Sequence, residues 1–423
     1  MSALAVSGGT PVRQGRPWPA WPQYDGATEQ ELIAALRSRR WAISWPSDGE
    51  RARERRFAEE FARYNGAPYC VSVDHGSSAL LVALEALNIG PGDEVIVPAM
   101  TWVAPVTAVL RVGALPVLVD SDPRTGCITP DTIRAGLSDR TRAVILVHLA
   151  CTVADLDGIT ALTREAGVPL VEDCAQAHGA RWRGRAVGTY GDVGVFSFQN
   201  GKVLTGGEGG AVITSDEGIY RRVQQLRADS RWYPEGGSAA GEMELVEAGE
   251  IMGANYCMSE LSAAVLIDQL PRLDAQHQHR EKIAGELERR LAELGGFAPV
   301  PLPEEADARS IYEYGIQVEP GTFGDVPLGR VAEALIAELG MTWYPADAPL
   351  HRSIMLRPET KRRFAALWDD HGRDRALGRD YSGAERYCDT TLLFHHSALL
   401  GDASDVDDIV RALDKVRTHH AEL

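Results

Sequence analysis

The chain has 423 residues, 44% of them hydrophobic and 24% charged, with 43 Lys and Arg against 60 Asp and Glu for a net charge of −17. This is the composition of a folded protein of two domains, or of one large domain carrying a smaller one, and it excludes disorder as the main state. The acidic balance argues against nucleic acid or an anionic membrane as the main partner and leaves room for a local basic pocket that takes a small anion.

The opening MSALAVSGGTPVRQG lacks a basic region followed by a long apolar core, so no secretory signal is expected. No apolar run approaches the roughly 20 residues of a membrane span. Cys70, Cys127, Cys151, Cys174, Cys257 and Cys388 are scattered without a CxxC pair, which suggests free buried thiols and neither a zinc ribbon nor a disulfide framework. The expectation is a soluble cytoplasmic protein with no metal site.

Residues 1–30 hold Pro11, Pro17, Pro19 and Pro22 with Trp18 and Trp21, and read as an extended arm because Pro forbids a helix there. Helical periodicity marks 27–40 and 51–64. From about 66 to 215, short apolar runs at 94–99, 115–120, 143–149, 168–173, 193–198 and 210–214 alternate with helices such as 79–87, 103–112 and 155–166. Continuously apolar runs mark strands buried on both faces, hence a largely parallel sheet between helices. Residues 232–252 are Gly-rich and acidic and read as a loop over a pocket or interface. One long amphipathic segment is expected at 259–294, followed by a strand at 311–318 and a closing helix at 406–419. The division falls near 290, with an arm and large domain over 1–290 and a small C-terminal domain over 291–423.

In a parallel α/β sheet ligands bind at the carboxyl ends of strands, and three features sit there. Gly76-Ser77-Ser78 opens a helical run and offers an anion cradle of hydroxyls and backbone N–H groups, although an ordinary helix cap would look the same. Asp173 ends the strand VPLVED, where a carboxylate needs a cation and a pyridinium nitrogen would supply it. Lys202 follows the apolar strand VGVFSF among Gly201, Gly206, Gly207, Gly209 and Gly210, in surroundings that would depress its pKa. A phosphate seat, an acid for a ring nitrogen and an amine for an aldehyde are together the requirements of pyridoxal 5′-phosphate.

At this point the sequence resembles the DegT/DnrJ/EryC1/StrS family of aminotransferases, carried by HGSSALLVALEAL, DEVIVPAMTWVA, VPLVEDCAQAHGA, VGVFSFQNGKVLTGGEGGAV and GANYCMSELSAAVL. The resemblance implies the α/β architecture of pyridoxal-phosphate-dependent transferases of fold type I and a ping-pong transamination. It implies Lys202 as covalent anchor and proton shuttle, Asp173 at the pyridinium nitrogen, Gln176 near the ring, and Trp102 stacked on its face. It further implies Ser77, Ser78 and Ser197 at the phosphate, and Asn255 reaching the phosphate of a neighbouring subunit in a homodimer with shared active sites. RRWAIS, EDCAQAHGARWRG, QQLRADSR and NYCMSE look like the cyclitol branch, which moves an amino group from glutamine (or glutamate) to scyllo-inosose or 2-deoxy-scyllo-inosose in aminoglycoside-type antibiotic biosynthesis. FSFQNGK and PAWPQYD look like 3-amino-5-hydroxybenzoate synthases, and a nucleotide-ketosugar aminotransferase is a further alternative. His148, Arg227, Arg231, Tyr344, His395 and His396 are candidates for holding the acceptor. For the last two no joint metal binding is expected, because neighbours on a strand point apart.

Overall fold

The structure, a computed structural model, describes residues 3–234 and 236–423. Seven strands form the large sheet: β1 Tyr69–Val73, β2 Glu94–Pro98, β3 Leu115–Val119, β4 Thr141–Val147, β5 Leu170–Asp173, β6 Val193–Ser197 and β7 Gly210–Thr214. Their order is β1-β7-β6-β5-β4-β2-β3, and only β7 runs against its neighbours. The side chains of β2 are buried on both faces and those of β4 nearly so, as the continuous apolar runs require. The strands lie within two residues of their expected places. The periodicity did not disclose β1, which is short and opens on half-buried residues.

Helices α1 Gly26–Ser38, α2 Arg53–Asn65, α3 Gly76–Ala86, α4 Ala104–Val112, α5 Pro130–Gly136, α6 Leu156–Ala166 and α7 Glu217–Arg227 accompany this sheet. The segment expected as one helix over 259–294 divides into α8 Glu260–Gln269 and α9 Leu273–Leu294. A 3-10 turn at Leu270–Arg272 separates them, because Pro271 has no N–H to continue the ladder. The loop 232–252 carries a two-residue ladder, Arg231–Trp232 with Val246–Glu247.

A second, four-stranded antiparallel sheet follows: β8 Phe297–Pro299, β9 Glu313–Val318, β10 Trp343–Pro345 and β11 Thr391–His395, in the order β8-β9-β11-β10. It carries α10 Leu328–Leu339 and α11 Ala403–Thr418. Among the described residues the arm expected over 1–30 is non-helical, apart from a 3-10 turn at Ala5–Ser7, only as far as Asp25, because α1 begins at Gly26, where Asp25 caps it. Its first part lies on this C-terminal unit. Buried Arg13 donates to Asp405 at 2.7 Å and to Asp408 at 2.9 Å, and the Trp18 indole N–H donates to the Leu339 carbonyl at 2.8 Å. In return the segment after β10 reaches back to the large sheet, where Leu350 N–H donates to the Ala99 carbonyl at 2.7 Å and Arg375 to Glu94 at 2.6 Å. All six cysteines are free; Cys127, Cys151 and Cys174 are buried and the others half-buried. Among the described residues no helix is long and apolar enough to cross a membrane.

Candidate active site

The parallel strands all end on one side of the large sheet, and a cavity of about 700 Å³ opens there, lined by Ser77, Ser78, Trp102, Asp173, Gln176, Ser197 and Lys202. Each comes from a different approach: the pair of serines opens α3 after β1, Trp102 follows β2, Asp173 ends β5, Ser197 ends β6, and Lys202 lies in the turn beyond. Of the cofactor residues expected from the sequence, only Asn255 does not line it. Asn255 is exposed, pairs with Ala228 in an isolated bridge, and accepts the Cys257 N–H at 3.2 Å.

One end of the cavity is built for an anion. The first turn of α3 holds no acidic residue, and neither Ser77 nor Ser78 caps the helix; the cap position is His75, which makes no side-chain cap bond. Both hydroxyls therefore remain in the first turn beside unpaired backbone N–H groups. Gly76 lets this turn approach β6 closely, since a Cβ there would lie 2.6 Å from Cβ of Ser197. That contact gathers three hydroxyls around one helix N-terminus, a fit for a phosphate group. His75 stands beside them, its Nδ1 3.0 Å from Glu208.

The other end carries the reactive pair. Burial brings the Lys202 ammonium down to about 8, with Glu313 and then Asp173 pulling the other way. Its Nζ lies 3.7 Å from the ring centroid of Tyr312. Burial raises the Asp173 carboxyl, opposed by the Ala175 N–H it accepts at 3.0 Å and by the charge of Lys202. A cationic ring nitrogen facing Asp173 would hold the carboxylate ionised and be held protonated by it. Gln176 is fixed through its carbonyl oxygen, which accepts the Ala150 N–H at 2.6 Å. Trp102 is 53% exposed, an aromatic face presented to the cavity.

Tyr312, Glu313 and Asp347 also line the cavity and escaped the sequence reading. The Tyr344 hydroxyl donates to Glu313 at 2.6 Å, and burial raises the Glu313 carboxyl. The signal was present: an acid inside the apolar strand IYEYGIQV poses the same desolvation problem that exposed Asp173.

The residues considered for holding the acceptor go elsewhere. His148 is fully buried; its Nδ1 accepts the Ala154 N–H at 3.2 Å and its Nε2 faces Glu172 at 3.3 Å. Arg227 is buried in an ion pair with Glu54 at 2.7 Å, and Arg231 pairs with Asp229 at 3.2 Å. The Tyr344 hydroxyl is taken up by Glu313. His395 and His396 both turn to the Gly201 carbonyl, at 3.0 and 3.2 Å, against the expectation that they point apart. The alternation fails because β11 ends at His395 and His396 begins a 3-10 turn. His148, Glu172 and Cys174 lie within 4.8 Å of one another in a geometry that could hold a metal ion. Glu172 is already occupied, accepting N–H bonds from Gly188, Tyr190 and Gly191 at 2.6–2.7 Å.

A mostly parallel sheet with this amine, acid, aromatic face and anion seat at its carboxyl edge defines a pyridoxal-phosphate-dependent aminotransferase of fold type I. The comparisons with known proteins agree. Residues 24–355 match the DegT/DnrJ/EryC1/StrS aminotransferase family, and the chain belongs to it. It is 48% identical over 421 residues to an L-glutamine:2-deoxy-scyllo-inosose aminotransferase of Streptoalloteichus tenebrarius, covering 99% of each chain. It is 44% identical to an L-glutamine:scyllo-inosose aminotransferase of Streptomyces griseus, over 98% of this chain and 97% of that one. Among solved structures, 3-amino-5-hydroxybenzoic acid synthase superposes with a TM-score of 0.80 at 30% identity, covering 97% of this chain and all of that one.

Proposed function

We propose that this aminotransferase moves the amino group of L-glutamine to the ketone of a cyclitol of the scyllo-inosose or 2-deoxy-scyllo-inosose type, in the cytoplasm, as a step in making an aminocyclitol antibiotic. The observation that carries this reading is full-length identity of 44–48% to aminotransferases of that specificity. The likeness to the aminobenzoate synthase is lower, at 30%. The cavity supports a neutral acceptor over a nucleotide-linked sugar. Beyond Asp173 and Lys202 its charged lining comprises Glu208, Glu313 and Asp347 against Arg111, with His75. Carboxylates accept hydrogen bonds from ring hydroxyls and repel a diphosphate.

When bound, pyridoxal phosphate supplies the electron sink and carries the amino group between the two substrates. Ser77, Ser78, Ser197 and the N-terminus of α3 would hold its phosphate, Trp102 and Gln176 would pack and donate beside its ring, and Asp173 would keep the ring nitrogen protonated. Lys202 anchors the aldehyde carbon. Freed of that bond, its Nζ would take the proton from the donor Cα and pass it to the bound group, and in the second half would carry it from there to the former ketone carbon. An ammonium brought down to about 8 is still mostly protonated at pH 7, but its free-base share, about one in ten, is far above that of an ordinary lysine.

The working unit is a homodimer in which Asn255 completes the phosphate seat of the partner. Support comes from the surface around it. Trp45 is 62% exposed and Met252 is 92% exposed, with Trp41 and Met243 nearby, and Pro46 bridges to Met243. Large exposed apolar side chains on segments that this bridge holds side by side are what a second copy would cover. Mass spectrometry of products from glutamine with a panel of keto-cyclitols and nucleotide ketosugars tests the substrate. Amination of a nucleotide ketosugar but of no keto-cyclitol would overturn the assignment.

A further inference from the structure

The turn that presents Lys202 is gripped from outside by groups the reaction above does not use. Within the turn, Lys202 N–H donates to the Gln199 carbonyl and Gly201 N–H to the Gln199 side chain, both at 2.8 Å. The carbonyls of Asn200 and Gly201 find partners outside the turn. The Trp21 indole N–H donates to the first at 3.0 Å. The second receives both His395 Nε2 at 3.0 Å and His396 Nε2 at 3.2 Å, one acceptor shared by two adjacent imidazoles.

The protonation of these rings follows from their surroundings. Ser397 N–H donates to His395 Nδ1 at 3.3 Å, so the proton of His395 sits on Nε2, the nitrogen facing Gly201. Nδ1 of His396 has no partner, so its proton too belongs on the bonded Nε2. Burial lowers both rings, and the positive charge of Arg280 lowers them further. Arg280 is itself fully buried; its Nε and Nη1 have no hydrogen-bond partner, and its guanidinium lies 5.4 Å from the Trp21 ring centroid. Trp21 in turn meets His396 edge-on at 4.5 Å. The arm thus holds the Asn200 peptide group, and the end of β11 holds the next one, that of Gly201.

That peptide is the one whose nitrogen belongs to Lys202. Holding its carbonyl restrains its plane, and with it the N–Cα bond of Lys202 from which the side chain departs. We propose that His395 and His396 are positioning residues, a neutral imidazole pair that clasps the Gly201 carbonyl from the C-terminal unit and thereby aims the Lys202 amine into the cavity. The inference rests on the role proposed for Lys202. Its energetic logic is that of preorganisation: a displacement of about 1 Å at a reacting group costs on the order of a hundredfold in rate.

The test uses the holoenzyme and two kinds of variant. His395→Leu and His396→Leu, singly and together, remove the donors; His395→Gln and His396→Gln keep an N–H at nearly the place of Nε2. Three quantities are read: the pH midpoint of the bound cofactor's visible absorbance, the rate at which borohydride fixes the cofactor on Lys202, and kcat and KM for the glutamine half-reaction. The Leu variants should move the midpoint by about one pH unit, slow fixation, and lower kcat by about a hundredfold. KM for glutamine should stay within about threefold, and the Gln variants should regain most of the rate. Leu variants that change only the melting temperature, or Gln variants as impaired as the Leu ones, would overturn the clasp. Should the double Leu variant not fold, the single variants decide. If borohydride leaves no cofactor on Lys202 of the unmodified enzyme, it is the role of Lys202 that fails, a separate result.

Discussion

Lys202 and Asp173 face one cavity, and burial drives each toward its neutral form. For the lysine this makes a nucleophile; for the aspartate it stores a demand for positive charge that a ring nitrogen satisfies. Lys202 accordingly should react as a free amine well below the ordinary lysine value of about 10.4. The chain has only three other lysines, Lys282, Lys361 and Lys415, so site-resolved labelling is simple. In protein stripped of cofactor, acetylation of Lys202 followed by mass spectrometry should rise with pH to a half-maximal rate near about 8, because only the deprotonated amine reacts. A midpoint near that of the other lysines would contradict the buried setting. Asp173→Asn removes the facing charge while keeping the shape, and should lower the rate of the glutamine half-reaction by roughly a hundredfold or more in stopped-flow absorbance.

Strand β5 shows how one element serves both faces of the sheet. Asp173 lines the cavity, whereas its neighbour Glu172 points the other way, as alternation demands. There it accepts the N–H groups of Gly188, Tyr190 and Gly191 and faces His148, pinning the loop that leads into β6. Glu172→Ala would leave buried Gly188 and half-buried Tyr190 and Gly191 without this acceptor, at about 1–3 kcal/mol for a buried donor. Thermal unfolding should report a destabilisation of roughly 3 kcal/mol. Helix α3 makes the opposite case, a small residue used for close approach. Gly76→Ala would push its first turn off Ser197 and should weaken cofactor binding at least about tenfold in a fluorescence titration, while overpacking destabilises the cofactor-free protein by about 1–3 kcal/mol in thermal unfolding.

At the scale of the whole molecule the two sheets are tied together through the site. The arm lies on the C-terminal unit through Arg13 and Trp18, then crosses to the lysine turn at Trp21. The proposed dimer adds a second chain to each cavity, and mixing subunits tests it. Lys202→Ala and Asn255→Ala subunits, each inactive or weak alone, should form mixed dimers with one fully intact site. Reassociated in equal amounts, they should recover about a quarter of the original activity. No recovery would place Asn255 outside the partner's site.

Strand ends and helix starts were legible in the chain because their signals are local. A buried strand must be apolar, an acid or amine at its end stands out against it, and glycines mark where backbones meet. Lys202, Asp173 and the serines of α3 could be picked out on those grounds, and the family motifs supplied Trp102, Gln176 and Ser197. Position 313 followed the same rule and was overlooked, lying in a strand assigned to the other domain. What the order of residues did not contain was which distant groups meet. His148, Arg227 and Arg231 had the right chemistry for a sugar-like acceptor, and folding spent them on Glu172, Glu54 and Asp229. His395 and His396 lie nearly two hundred residues after Gly201 and come to share its carbonyl only because β11 ends beside the lysine turn. The sequence alone determined the cofactor chemistry and the sheet that presents it, since both rest on periodicity and residue type. The tertiary structure alone decided which polar side chains face the cavity, because every buried polar group must find a partner and the nearest partner is set by packing.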